Sequence, residues 1–497
     1  MQKRKVLEAI STFAFGALCI FSKVEAMHEG MRLFPEDPLG SPAFLRSRIL
    51  LEGVPTPIPK DVMDSHLEKA AQATWGPNWR LRLRLGLQSL ILPARVETLG
   101  EHCFTECLLW AVAFERNSRL RIIGSHAFSR CGRLESVALP QSVEMLGEGC
   151  FTACQALAFV TFEDDSRARV LGAHAFARCI SLPSITLPES VETLEEGCFE
   201  SCDHLVTIDF AGDSLLTTVM AHAFFHCVCL QSFTLPESVE TLGEGCFESC
   251  SHLVTIDFAG DSQLATVMAR AFAHCTSLPS ITFPESVETL GEGCFQYCNH
   301  LVTIGFAGNS QLTTIMAHAF AYCTNLQPIT LPKSVQVLGK ECFMNCRYLT
   351  SVAFEVGFQP LEFQESVFFD SGIRSFVVPA RIERIGARCF AWCQFLFFVT
   401  FEPDSQLRVI AEEAFAWFNL CSLVIPRRVT ILGRACFSCC PSLISVTLEP
   451  GSQLVEIEPY VFLDSPLVQD ILLPDGKKYS AAQLDQGWKA EPPTSAE

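Results

Sequence analysis

The chain has 497 residues, of which 49% are apolar and 18% are charged, and its formal net charge is −19. This apolar content excludes an intrinsically disordered chain. The acidic balance argues against a nucleic-acid partner, because phosphates are neutralised by Lys and Arg. The 25 cysteines are an odd number, so at least one thiol cannot pair within the chain.

Residues 1–26 have the pattern of a secretory signal peptide. A basic start precedes an apolar stretch over 9–21, and Val24 and Ala26 occupy the −3 and −1 positions of a cleavage site. We therefore expect an exported protein, secreted or at the cell surface, with an intracellular protein as the alternative if the segment is not cleaved. No later stretch reaches the roughly 18 uninterrupted apolar residues of a membrane span, so none is expected in the mature chain.

Residues 27–86 do not follow the pattern that dominates the rest of the chain. They are rich in proline, then contain a helical stretch near 61–74, and Arg80, Arg82 and Arg84 alternate with leucines as in an edge strand. This segment is predicted to be a lead and an N-terminal cap, because the open end of a repeat array has to be covered.

A tandem repeat runs from residue 87 to residue 474. Blocks that begin PESVETL start at Pro188, Pro236 and Pro284, 48 residues apart. Each block splits into two half-units with the core (Ala/Cys)-Phe-x-x-Cys-x-x-Leu-x-x-Ile-x-(Leu/Phe), and this spacing predicts 16 coils of a leucine-rich-repeat solenoid. The anchor phenylalanines are Phe104, Phe128, Phe151, Phe176, Phe199, Phe224, Phe247, Phe272, Phe295, Phe320, Phe343, Phe368, Phe390, Phe415, Phe437 and Phe462.

Each coil is predicted to contain a strand and a short helical turn. Residues 184–187 alternate polar and apolar side chains as a half-buried strand does, and Pro188 ends the strand because proline cannot donate to a ladder. The following Gly-Cys-Phe-x-x-Cys segment would place Cys198, Phe199 and Cys202 on one helical face. The predicted fold class is an α/β-type repeat solenoid, with a parallel β-sheet on one face and short helical turns on the other.

This pattern resembles the BspA-type leucine-rich repeats of bacterial and protist surface proteins. The motif L-P-x-S-V-x-x-L-G-x-x-(A/C)-F-x-x-C-x-x-L is matched by 235–239, Leu242-Gly243, Cys246-Phe247, Cys250 and Leu253. The resemblance implies export or surface attachment and a role in adhesion or protein binding. The family has no shared catalytic residues that could be assigned to positions of this sequence. One departure is a cysteine, in place of a small alanine, before the anchor of alternate coils. These cysteines are Cys103, Cys150, Cys198, Cys246, Cys294, Cys342, Cys389 and Cys436.

The cysteines allow three interpretations, of which a reduced, buried ladder is favoured. The second cysteine of the motif recurs in nearly every coil at the inward position, and its exceptions, Ser371, Phe418 and Ser465, are not typical metal ligands. Free cysteine behaves as a small buried hydrophobe. Disulfides between adjacent coils are compatible with a Cα spacing near about 5 Å, and a zinc or iron–sulfur site is the weakest of the three interpretations.

The outward positions of the strands are the first candidate binding surface. A flat sheet face is where solenoids usually bind partners, although this one lacks the Trp, Tyr and Arg of typical hot spots. Its candidate residues are Ser184, Thr186, Thr207, Asp209, Ser232, Thr234, Thr255, Asp257, Ser280, Thr282, Thr303 and Thr330.

An acidic face is the second candidate. Residues 179–332 contain 17 Asp and Glu but one basic residue, Arg270. The face could dock a basic partner or divalent cations, and the alternative is a solvated edge that preserves solubility. Its candidate residues are Glu189, Glu192, Glu196, Glu237, Glu240, Glu244, Glu285, Glu288 and Glu292.

No constellation for catalysis, metal binding or cofactor binding is predicted. His204, His252 and His300 form one column, and His126, His174, His222 and His318 form another. Members of a column lie at least two coils apart and cannot share one ion. No phosphate-binding loop or nucleophile–base set is present. We expect a non-enzymatic protein-binding or adhesion module; the alternatives are a structural envelope protein without a specific ligand and a secreted effector that binds a host protein.

Residues 475–497 are assigned to a C-terminal tail. A short helix is expected near 481–486, and the final Glu-Pro-Pro-Thr-Ser-Ala-Glu is expected to be disordered.

Overall fold

A computed structural model describes residues 48–50, 89–355, 357 and 362–490. The predicted signal peptide, most of the predicted N-terminal cap and residues 491–497 lie outside these ranges. In chain order the strands are β1 (Arg48–Leu50), β2 (Ser89–Leu92), β3 (Thr98–Leu99), β4 (Ala111–Phe114), β5 (Ile122–Ile123), β6 (Ser136–Leu139), β7 (Met145–Leu146), β8 (Phe159–Phe162), β9 (Val170–Leu171), β10 (Ser184–Leu187), β11 (Thr193–Leu194), β12 (Thr207–Phe210), β13 (Thr218–Val219), β14 (Ser232–Leu235), β15 (Thr241–Leu242), β16 (Thr255–Phe258), β17 (Thr266–Val267), β18 (Ser280–Phe283), β19 (Thr289–Leu290), β20 (Thr303–Phe306), β21 (Thr314–Ile315), β22 (Ile329–Leu331), β23 (Val337–Leu338), β24 (Val352–Phe354), β25 (Glu362–Phe363), β26 (Ser375–Val378), β27 (Arg384–Ile385), β28 (Phe398–Phe401), β29 (Val409–Ile410), β30 (Ser422–Ile425), β31 (Ile431–Leu432), β32 (Ser445–Leu448), β33 (Glu456–Ile457), β34 (Ile471–Leu472), β35 (Lys478–Tyr479) and β36 (Trp488–Lys489). The helix α1 is Ala481–Leu484.

The strands build a parallel solenoid of 16 coils, which confirms the predicted repeat. Each coil has a long strand of three or four residues, from β2 to β32 in even numbers, and then a two-residue strand, from β3 to β33 in odd numbers. The anchor phenylalanine follows the short strand, and a loop leads to the next long strand. We number the coils 1 to 16 by their anchors, from Phe104 to Phe462.

Both strand types stack in parallel register, coil upon coil. The short strands form one continuous ladder from β3 to β33. The ladder of long strands is interrupted five times. At three interruptions, before β10, β18 and β22, a proline precedes or begins the strand segment and has no N–H to donate. The other two, before β26 and β30, follow loops that are one residue shorter than the loops of the adjacent coils. These prolines are Pro183, Pro279 and Pro328.

The prediction of short helical turns on the other face of the solenoid is wrong, because the segment around each anchor is not helical. The backbone is left-handed on both sides of each anchor, for example at Gly197 (φ 60°) and Ser201 (φ 56°) around Phe199, and such residues interrupt an α-helix. The N–H groups of these three residues donate to carbonyls of the next coil, 2.8–2.9 Å away, instead of to carbonyls four residues back. The segment is therefore a third ladder between coils, made of hydrogen-bonded turns.

The core is a column of stacked phenylalanine rings enclosed by the three sides. All 15 pairs of successive anchors stack, with ring centroids 5.0–5.9 Å apart and ring planes within 23° of parallel. Inward strand residues such as Ile185, Val191 and Leu194 close over the rings and are buried. One coil cannot bury its own rings, so each coil depends on its neighbours.

Residues 466–490 cover the last coil. The short helix expected near 481–486 is present as α1, and the carbonyl and side chain of Asp485 accept the N–H groups of Tyr460 (3.0 Å) and Phe462 (2.8 Å). Asp485 thus supplies the acceptors that a seventeenth coil would have provided, while β36 pairs antiparallel with β33. Within the described ranges, no helix is long and apolar enough to cross a bilayer.

Candidate functional site

The predicted sheet-face residues lie on one surface, on the outer side of the long strands β10 to β22. Their register is direct: Ser184 lies beside Thr207 and Thr186 beside Asp209, and the pattern repeats in later coils. All twelve side chains are exposed or half-buried, because the inward places of the strands are taken by apolar residues such as Ile185. The structure therefore places these residues on a hydroxyl-rich strip interrupted by aspartates.

The predicted acidic residues do not converge on one site. In each repeat they occupy three segments of the coil: after the long strand (Glu189), before the short strand (Glu192) and after the short strand (Glu196). Members of one column are two coils apart, about 10 Å at the usual strand spacing. Such columns cannot coordinate one cation, since oxygen ligands must approach within about 2.6 Å.

The Glu192 column continues a row of Arg–Glu ion pairs between coils, but the later coils have no arginine at the corresponding positions. Arg169 donates to both carboxylate oxygens of Glu192, at 2.8 and 2.9 Å, and this hydrogen bonding lowers the pKa of Glu192. The positions that correspond to Arg169 in later coils are Thr217, Ala265 and Thr313. In the described part of the chain no cation pairs with Glu240 or Glu288, which explains why the negative charge is concentrated in these coils.

The Glu189 column holds the turns of the following coils. A side chain on Gly212 (φ 55°) would meet the Glu189 carboxylate at 2.5 Å, so the carboxylate lies directly over that turn. Asn309 donates its N–H to the equivalent Glu285 at 3.3 Å. In coil 4, Glu163 makes the reciprocal contact by accepting an N–H from the turn of coil 3. Part of the acidic face therefore has a structural role.

One cleft brings together residues from both predicted faces. It has a volume of about 550 Å³ and is lined by Ser184, Thr186 and Glu189, with the exposed Phe159 and Asp164 on the preceding coil. No Lys or Arg lines it. The cleft is a negatively charged concavity with hydroxyl groups on its floor and an aromatic wall.

The inward cysteines are hydrogen-bonded thiols. The Cys131 Sγ donates to the carbonyl of Phe104, the anchor of the previous coil, at 3.1 Å, and the contact repeats along the solenoid. Ser465 makes the same bond to Phe437 at 2.8 Å, which explains why serine can replace cysteine there. Every described cysteine is a free thiol, and no group of three metal-ligating side chains occurs among the described residues.

Burial raises the pKa of these thiols. The pKa of Cys154 and that of Cys298 rise to about 12, because the thiolate would lose its solvation inside the core. The thiolate is the reactive form of cysteine, so the ladder is chemically inert near neutral pH. Cys421 differs from the ladder in being exposed.

The histidines make contacts between coils. His204, His252 and His300 each bond through Nδ1 to a carbonyl of the previous coil, at 2.7 Å for His252. In the other column, His174 Nδ1 lies 3.1 Å from Glu200 Oε2. Both arrangements fix surface turns.

An exposed apolar patch on the long-strand face is absent from the sequence-based candidates. It lies in coils 13 to 16. Phe398, which is 69% exposed, corresponds to Ser184, and Val377 and Val424 correspond to Thr186, whereas Phe397 and Ile444 stand one residue before their strands, as Val254 does in coil 8. The run Phe395-Leu-Phe-Phe398, which departs from the repeat, is the signal that could have revealed it. We define the C-terminal patch as Val377, Phe397, Phe398, Val424 and Ile444.

The sequence pattern described as the BspA type leucine-rich repeat region matches residues 84–170, 169–301, 259–371 and 361–480, in six copies. The chain belongs to the BspA-type leucine-rich repeat family. The matched ranges include all 16 coils. No curated protein matches the sequence.

Solved structures that are similar to this chain come from bacterial leucine-rich repeat proteins. One from Bacteroides ovatus is 22% identical, with a TM-score of 0.53, and the match covers 71% of this chain and 82% of that protein. The pneumococcal vaccine antigen PcpA is 19% identical over 75% and 80% of the two chains, with a TM-score of 0.37. A leucine-rich cell surface protein from Faecalibacterium prausnitzii is 21% identical over 64% and 79%, with a TM-score of 0.32. The likeness to the Bacteroides ovatus protein concerns the fold alone.

Proposed function

We propose that this BspA-type protein is a non-enzymatic binding module that engages another protein through the outer face of its long strands. The C-terminal patch carries the proposal. Phe398 (69% exposed) and Val377 (52%) stand on the paired strands β28 and β26, and Val424 (51%) stands on β30, the next long strand along the solenoid. A cluster of large exposed apolar side chains rimmed by polar residues marks an interaction surface, and aromatic residues are enriched at the centres of such surfaces.

The hydroxyl-rich strip and the acidic cleft, which is the concavity lined by Ser184, Thr186 and Glu189, extend this surface toward the N-terminal coils. Their chemistry suits the polar rim of an interface, because rim contacts stay hydrated and fix register more than affinity. In the proposed complex the C-terminal patch supplies most of the affinity. Ser184, Thr186 and Glu189 contribute to specificity.

The test uses substitutions that the repeat itself supplies. Phe398→Ser and Val377→Thr restore the residues found at these positions in other coils, so the fold should be retained. Loss of a central contact should weaken binding of an identified, saturable partner by at least about 2 kcal/mol, or roughly thirty-fold in Kd. Leu463→Ser is the matched control, because Leu463 is 42% exposed but follows the anchor of coil 16 on the turn side. Equal affinity of all variants would contradict the proposal, and the lack of any saturable partner would favour a structural envelope role.

We also propose that the protein is exported, to the cell surface or the medium. The support is the signal-peptide pattern of residues 1–26 together with membership of the BspA-type family. One solved structure that is similar to this chain is that of a cell surface protein. N-terminal sequencing of the native protein should find a start at Met27. A start at the first residues in a cytosolic fraction would contradict export and favour the intracellular alternative.

A further inference from the structure

A gap interrupts the row of loops beside the C-terminal patch. The loop of coil 11 carries Arg347 and Tyr348 between its cysteine and leucine, and the loop of coil 13 carries Gln394 and Phe395 at the same positions. The loop of coil 12 between them is one residue shorter and has Gly372 there. Tyr348 and Phe395 are 60% and 56% exposed on either side.

The chain cannot fill this gap with a side chain of its own at position 372. The Gly372 N–H donates to the Cys346 carbonyl at 3.0 Å, and this close approach would put a Cβ only 1.9 Å from the Arg347 carbonyl oxygen. The loop of coil 14 is equally short but is filled, because its Asn419 side chain donates to the Gln394 carbonyl at 2.7 Å. The opening at coil 12 therefore follows from the glycine.

The opening is a cleft of about 280 Å³. Arg347 forms one wall, Asp370 and Gly372 lie at the floor, and Trp392 and Phe395 form the opposite wall. The volume is just below the range of about 300–1,000 Å³ that is usual for drug-sized ligands. A single side chain is the occupant that this size fits.

The spacing of the coils suits a planar occupant. On neighbouring coils of this protein, Trp392 and Trp417 stack with centroids 4.8 Å apart, and Tyr297 and Tyr322 with centroids 4.6 Å apart. Coils 11 and 13 are separated by two strand spacings, about 9.6 Å. A ring inserted at the level of coil 12 would thus lie at stacking distance from Arg347 on one side and Phe395 on the other.

The polar groups of the cleft suit a ring that carries a hydrogen-bond donor. Arg347 Nη2 lies 3.6 Å from Asp370 Oδ2, a loose ion pair. Burial raises the pKa of Asp370, which indicates that its carboxylate is poorly solvated. An indole N–H or a phenol O–H would give this carboxylate a second donor beside Arg347, and buried Trp and Tyr usually require a partner for this group.

We propose that this cleft receives one Trp or Tyr side chain of the partner protein, which inserts between Arg347 and Phe395 and completes the stack that Gly372 leaves open. The inference rests on the proposed function, because it names the partner's anchoring side chain. The C-terminal patch lies next to the cleft along the chain, so one extended segment of the partner can cover both.

The experiment measures the binding of N-acetyl-tryptophanamide, the probe, to the intact protein by saturation-transfer NMR. N-acetyl-leucinamide and methyl β-glucoside are parallel probes for an aliphatic side chain and a sugar. The tryptophan probe should bind, and Phe395→Ala should weaken it by about 2- to 12-fold, the effect of one aromatic pair. Leu467→Ser is the matched control, since Leu467 occupies the same loop position in coil 16 and is 53% exposed, and it should leave binding unchanged.

A second variant tests the gap itself. A phenylalanine inserted after Gly372 restores the normal loop length and fills the opening, so it should abolish probe binding while the melting temperature stays at or above that of the parent. Equal binding of the leucine or sugar probe, or tryptophan binding that survives both changes, overturns the inference. The proposed function is tested separately, because the Phe398→Ser variant should bind the partner protein roughly thirty-fold more weakly and still bind the tryptophan probe.

Discussion

The stacked phenylalanine column should make an interior ring more important than a terminal one. Phe247 is fully buried, stacks on Phe224 (5.1 Å) and Phe272 (5.4 Å), and makes an edge contact with Phe233 (5.0 Å). Phe462, in the last coil, has one ring neighbour among the described residues, at 5.9 Å. We compare Phe247→Ala with Phe462→Ala, two substitutions of the same size at buried positions.

The expected difference follows from the aromatic pairs that each substitution removes. Phe→Ala in a core typically costs about 3–5 kcal/mol in the free energy of unfolding. Each aromatic pair contributes about 0.5–1.5 kcal/mol beyond its buried area, so the two additional pairs of Phe247 should add about 1–3 kcal/mol. Phe247→Leu, which keeps apolar volume but removes the ring, should fall between Phe247→Ala and the parent.

The measurement is urea unfolding followed by far-UV circular dichroism, with the slope of each transition compared to verify that the same structure unfolds. A larger loss of stability for Phe247→Ala supports stabilisation by neighbouring coils. Equal losses at the two positions, or a larger one for Phe462→Ala, would refute the reasoning, because the stacking of the rings would then contribute nothing beyond burial.

Three further predictions concern the thiols and the ion pairs. Cys250→Ser should be tolerated better than Cys250→Ala in thermal unfolding, because serine can keep the hydrogen bond to the Phe224 carbonyl; equal melting temperatures would contradict this role. In the native state a thiol reagent should label Cys421 rapidly and the buried ladder only after denaturation, even at pH 9, since burial raises the ladder's pKa values; rapid labelling of most thiols would disprove the buried ladder. Arg169→Ala should raise the pKa of Glu192, measured by NMR, and the pair's contribution in the parent should be present above the usual carboxyl pKa and disappear as the pH falls through the lowered one; an unchanged pKa would exclude the pairing.

Much of the fold could be predicted from the sequence because the same residues recur at the same positions in each coil and make the same contacts there. The recurrence of Phe199 and its equivalents determines the number of coils and the buried column. The alternation at 184–187 determines which side chains face outward. The turns around Phe199 could not be predicted in this way, because Ser201 and many other left-handed residues are not glycine and carry no distinctive sequence signal.

The candidate surfaces show a similar division. Charge composition located the acidic coils, but only the structure distinguishes Glu189, which lies over the next turn, from Glu240, which has no cation beside it among the described residues. The alignment of the repeats likewise places Phe398 outward. Its closeness to Val377 depends on the pairing of β26 with β28, and its closeness to Val424 depends on the stacking of coil 15 on coil 14, although these residues are more than 20 positions apart in sequence.

The sequence by itself therefore determined the periodic properties of this protein: the coil count, the buried anchors and inward thiols, and the outward hydroxyls. These depend on side-chain polarity at fixed spacing, which is a local property of the chain. The tertiary structure alone decided the features that arise between coils, namely the thiol bonds to the preceding carbonyls, the acidic cleft and the gap above Gly372. Their atoms come from different coils, and the distances between them are fixed only when the coils stack.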